Sequence, residues 1–79
     1  MSDSLDPVNK VVILLASSPS VEDIMGYRAT EAEEARLTQL TAKKRAGVLT
    51  IDEAEEIRNY ELAEHMIRMA KLYALRQRA

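Results

Sequence analysis

Glu61, Glu64 and His65 are the one cluster whose residue types and spacing resemble a metal or acid–base site. Glu61 and His65 stand four residues apart, so on a helix the carboxylate and the imidazole share a face. A di-iron helix motif needs an acid three residues before its histidine, and that position is Leu62. The chain has a single histidine, so no second ligand set can complete a site. Glu61–His65 and Glu64–Arg68 therefore read as i,i+4 surface pairs.

Other chemistries lack their parts. The two glycines, Gly26 and Gly47, cannot build a phosphate-cradling loop. The acids around Asp52 do not follow the alternating spacing of a calcium loop. Without cysteine there is neither a thiolate metal site nor a disulfide. Serine, histidine and aspartate are scattered and form no triad arrangement. The expectation is a non-enzyme with no cofactor and no metal.

The elements that would position any site read as helices. A chain of 79 residues has room for one small domain, and a monomer of this size is marginally stable. Its 47% hydrophobic and 30% charged content excludes a disordered chain. Aromatic residues reach 4%, all tyrosine, so Leu, Ile, Val, Met and Ala must make the core. Residues 1–5 carry no helix signal and are expected to be disordered. Asp6-Pro7 suits an N-cap followed by a first helical position, with Val8, Val11, Val12 and Leu15 on one face. The run Val11 to Leu15 also has strand character, but no other segment offers it a pairing strand. Ser20, with Asp23 three residues on, caps a second helix of about two turns, weakened at Gly26.

Two further starts are stronger. Thr30-Glu31-Ala32-Glu33 is a capping box. The basic Lys43, Lys44 and Arg45 then meet the negative helix end, and Gly47 supplies the stop. This predicts a helix over 31–46 with a thin apolar stripe, Ala32 or Ala35 followed by Leu37 and Leu40. Thr50-Ile51-Asp52-Glu53 is a second box, with Leu49 and Ala54 placed for a weak hydrophobic staple. No Gly or Pro interrupts 51–76, which predicts one helix on the order of 38 Å long. The short link makes an antiparallel helical hairpin. The fold class is therefore all-α: that hairpin plus one or two short N-terminal helices, completed by dimerisation or by a partner.

Along the long helix, Ile51, Ala54, Ile57 and Tyr60 are expected inward, with Asp52, Glu53, Glu55, Glu56, Arg58 and Glu61 in water. Beyond them lie two apolar stripes, Leu62, Met66, Met69 and Tyr73, then Ala63, Ile67, Ala70 and Ala74, about 100° apart. Leu72 and Leu75 close much of the remaining circle. One thin partner helix cannot cover so wide a surface, and a large exposed apolar patch marks an interaction site. Alternatively, the segment Val8 to Leu15 folds back over the second stripe. The expected partner-binding residues are Leu62, Met66, Ile67, Met69, Leu72 and Tyr73.

Charge and hydropathy narrow the partners. The net charge is −2 and the pI is near 5.4, whereas nucleic-acid binders are usually basic. Arg68, Lys71, Arg76 and Arg78 follow the last acid, Glu64, which suits a helix C-terminus and leaves a DNA-binding regulator as the third reading. The longest apolar run, Val11 to Ala16, is far shorter than the roughly 20 residues a bilayer requires. An opening with Asp3 and Asp6 is unlike a signal peptide, so a cytoplasmic location and no membrane are expected.

Three patterns carry a resemblance: Pro19-Ser20-x-Glu22-x-Ile24, then Gly47-x-Leu49-Thr50-x-x-Glu53-x-x-Glu56, then Glu64-His65-x-Ile67-Arg68-x-Ala70-Lys71. With these the stretch Ser18–Leu75 resembles a group of short, mostly uncharacterised bacterial helical proteins. The Val11 to Leu15 segment departs from their pattern. Members resemble antitoxin-like or accessory chains that accompany a larger effector such as a nuclease. The resemblance implies a protein-binding role and no catalytic residue. A homo-oligomeric structural bundle is the alternative.

Overall fold

The computed structural model describes residues 6–78, and the expectation for residues 1–5 lies outside them. The chain is all-helical, with α1 (Pro7–Ala16), α2 (Val21–Met25), α3 (Glu31–Ala46) and the long α4 (Ile51–Arg78). No strand occurs among the described residues, and Val11 to Leu15 is helix.

Each helix begins at a local cap. The Asn9 amide donates to Asp6 Oδ1 at 2.8 Å, with Pro7 next in the chain. Ser20 and Asp23 bond reciprocally, as do Thr30 with Glu33 and Thr50 with Glu53. These bonds satisfy amides that have no carbonyl partner in the first turn. α3 stops at Gly47, whose φ of 75° is left-handed. There the Val48 amide donates to the Lys43 carbonyl and the Gly47 amide to the Lys44 carbonyl, the pairing expected of a glycine-terminated helix.

α1, α2 and α3 each pack against α4. The buried apolar residues are Val11, Leu40, Ile57, Ala63 and Ala74. On α4, Ile67 and Ala70 join Ala63 and Ala74 as a half-buried to buried inner stripe. The small alanines let neighbouring helices come close: α1 folds back onto α4 with Val11 beside Ala63 and Ile67, and α2 packs on α4 as well. Leu49 and Ala54 line one small recess beside Ile57.

Several expected core positions face outward. Val12 and Leu15 are exposed while Val11 is buried, because a ten-residue helix lying on one neighbour buries a single stripe. Ala32 and Ala35 are exposed too, leaving Leu37 and the wholly buried Leu40 to anchor α3. Ile51 is 84% exposed. It sits at the first position of α4, where no neighbour covers its side of the helix.

Charged side chains tie the layers together. Arg36 donates to both carboxylate oxygens of Glu56, at 2.8 and 2.9 Å. Lys43 pairs with Glu53, and Lys10 with Glu33 at 2.8 Å. Lys71 Nζ donates to the Tyr27 carbonyl at 3.1 Å, joining α4 to the α2–α3 link. Glu53 and Glu56, expected in water, are thus half-buried bridges to α3. The Arg36 guanidinium holds the Glu56 carboxyl below the usual carboxylate range, and Lys43 with the Thr50 amide does the same for Glu53. Partial burial pushes Glu33 up, but bonds from Lys10 and the Thr30 amide outweigh it and its carboxyl also lies low.

Candidate interaction surface

Packing on α4 divides its circumference. Ile57, Ala63 and Ala74 point into the core, and the opposite side meets no neighbouring helix among the described residues. Along that outer side Leu62 is 48% exposed, Met69 43%, Leu72 51% and Tyr73 61%. Helical periodicity places positions three, four and seven apart on a common face, so Leu62, Met69 and Tyr73 form one ridge with Leu72 at its edge. Met66 lies half-buried on the ridge's inner shoulder. The Arg76 guanidinium carbon lies 5.9 Å from the Tyr73 ring centroid, within reach of a cation–π contact.

Of the six residues expected to bind a partner, Leu62, Met69, Leu72 and Tyr73 are on open surface and Met66 is half-open. Ile67 is not with them. It faces inward beside Val11 and Ala63. Two apolar features escaped the sequence-based set: Leu75, 47% exposed, and the α1 side chains Val12, Ile13 and Leu15. The α1 run of five aliphatic residues carried the hint, since a single-stripe helix cannot bury five in succession.

The inward face bounds a cleft of about 280 Å³ between α1, the α2–α3 link, α3 and α4. Val11, Leu37, Tyr60, Ala63 and Ile67 make its apolar lining. Burial raises the Tyr60 phenol above its ordinary value, keeping it neutral. The charged groups at the rim serve the fold: Glu33 holds Lys10 and the Thr30 amide, and Lys71 holds the Tyr27 carbonyl. The cleft thus offers mainly apolar contact, with Glu34 and the Tyr60 hydroxyl also on its lining.

The cluster that first drew chemical interest lies on solvated helix. Glu61, Glu64 and His65 are all exposed. Glu64 and Arg68 approach to 3.7 Å, whereas no ion pair joins Glu61 to His65 among the described residues. No grouping of three or more His, Asp or Glu suited to a metal occurs among the described residues. The basic residues are dispersed: Arg68 and Arg76 are exposed, Lys71 is bound to a carbonyl, and the Arg78 side chain lies outside what is described. Among the described residues no helix is long and apolar enough to cross a membrane. No family model, curated protein or solved structure matches this chain.

Proposed function

We propose that this chain is a non-catalytic interaction module that lays the outer face of α4 on another protein chain. One observation carries the reading: large apolar side chains from Leu62 to Tyr73 stand in open solvent on a helix whose other side is already packed. Burying a Leu or Met is worth roughly 1.5–3 kcal/mol, so covering this face is strongly favourable. An amphipathic helix presenting anchors at three- and four-residue spacing is a standard way of filling a groove on a partner. The mixed Leu, Met and Tyr lining suits an adaptable contact. The resemblance to accessory and antitoxin-like chains, with the cytoplasmic location expected for them, agrees with a role in which the partner holds the activity. The same face would also serve a homo-oligomeric helical bundle.

The test uses the tagged full chain and the double variant Leu62→Glu with Met69→Glu. Both positions are substantially exposed, so helix content by circular dichroism should be unchanged. Loss of every stoichiometric protein contact, self-contact included, is the expected result. Full retention of those contacts by the variant would overturn the assignment of the face.

A further inference from the structure

The outer face has a polarity that says which chain covers it. Glu55, Leu62, Met69 and Arg76 recur every seven residues along one line of α4. All four are exposed. Read forwards the line is acid, apolar, apolar, base. Read backwards it is base, apolar, apolar, acid. A second copy running antiparallel sets Glu55 against Arg76 at both ends and Leu62 against Met69 between them.

The adjoining line repeats the pattern. Ala54, Glu61, Arg68 and Leu75 also recur every seven residues. Reversed, it sets Glu61 against Arg68, both exposed, while Ala54 stays in the recess beside Ile57. A two-fold interface demands this property, because residue i must suit residue j while j suits i. A parallel pair would instead stack acid on acid and base on base.

Two further observations point to a copy of the same chain. The remaining acids on this half of α4 that meet α3, Glu53 and Glu56, are already paired with Lys43 and Arg36. Glu55 stands exposed on the outer side, Glu61 stands exposed at the rim of the recess beside Lys44 and Ile57, and Arg68 has just a long 3.7 Å contact with Glu64. The core is also thin, since Val11 and Leu40 are the only large side chains wholly buried among the described residues. A monomer with so little core is marginal. A second copy is present whenever the chain is, and a different partner is not.

Resting on the reading that this face docks on another chain, we propose that its occupant is a second copy, lying antiparallel along α4 in a two-fold dimer. Leu62, Met69 and Leu72 would form the shared core, and Glu55–Arg76 and Glu61–Arg68 would set the direction. The paired helices of the two copies then make a bundle.

Sedimentation equilibrium of the wild-type chain, at tens of micromolar and moderate salt, is expected to give twice the 8.9 kDa monomer mass. Two charge variants test direction. Glu55→Lys with Glu61→Lys makes the face wholly basic; Arg68→Glu with Arg76→Glu makes it wholly acidic apart from Arg58. Each alone should fall to monomer mass with helix content retained, and an equimolar mixture should regain the doubled mass. Orientation is read separately by oxidising a mixture of Glu55→Cys and Arg76→Cys chains, which has no background because the chain lacks cysteine. Cross-linking in the mixture well above either variant alone supports the antiparallel pair. A wild-type monomer at these concentrations overturns the proposal, as does cross-linking dominated by Glu55→Cys with itself. If the wild type is monomeric yet captures a different protein through Leu62 and Met69, self-pairing is wrong and the interaction-module reading stands.

Discussion

Arg36 and Glu56 meet edge to edge across the α3–α4 interface, with both guanidinium–carboxylate bonds under 3 Å, at 2.8 and 2.9 Å. Their side chains are about one-third exposed, at 36% and 34%. The bidentate geometry fixes a relative position that a Lys could not. Arg36→Lys should therefore cost nearly as much as Arg36→Ala, about 0.5–1 kcal/mol. A double-mutant cycle with Glu56→Gln in urea denaturation reads the coupling; a coupling near zero would make the pair ornamental.

The paired carboxylates give the fold an acid limit. Glu33, Glu53 and Glu56 all lie below the ordinary value of 4.5 in the folded chain. The unfolded chain therefore takes up protons first as pH drops. Their contribution is complete above about 4.5 and is lost as pH falls through the lowered folded values. Thermal melts between pH 7 and 3 should show Tm steady and then descending below that point. Glu33→Gln, Glu53→Gln and Glu56→Gln together should flatten the descent.

Leu40 is wholly buried on an otherwise sparsely apolar helix. Leu40→Ala should cost about 2–5 kcal/mol, enough to unfold much of a marginal domain at 37 °C. Circular dichroism at 222 nm over temperature measures it. An unchanged midpoint would mean that α3 is not anchored there.

Ala63 and Ala74 are both buried, but in different surroundings. Ala63 borders the cleft of about 280 Å³, and Ala74 does not. Ala74→Leu should be destabilising by about 1–3 kcal/mol through overpacking, while Ala63→Val should be close to neutral. Equal urea midpoints for the two variants would contradict the packing described.

A Cβ at Gly47 would meet no atom within 4 Å, yet φ is 75°. Gly47→Ala should therefore cost about 1 kcal/mol from backbone strain alone, and Gly47→Asn distinctly less. The Tm order glycine, asparagine, alanine checks this.

What was legible in the sequence was mostly local. Asp6, Ser20, Thr30 and Thr50 mark helix starts because a cap needs its own residue and one three positions on, and nothing distant. Gly47 marks a stop for the same reason. Direction around each helix was harder. Periodicity draws two stripes on α4 without saying which one a neighbour takes, so it leaves Ile67 among the expected contact residues, whereas Ile67 lines the cleft with Val11. Ile51 fitted the inward stripe, but a stripe does not tell where the covering helix begins. Glu53 and Glu56 looked solvated because their cations, Lys43 and Arg36, lie on another element.

The contacts that hold the layers together differ greatly in the length of chain they close. Lys43–Glu53 spans 10 residues and Arg36–Glu56 spans 20. Lys71 and Tyr27 lie 44 residues apart. Closing a longer loop costs more entropy, and short loops close within about 10–100 ns. The Lys10–Glu33 bridge from α1 to α3 spans 23 residues, so by loop length the α3–α4 turn closes at the lowest entropic cost and α1 docks at about the cost of the Arg36–Glu56 contact.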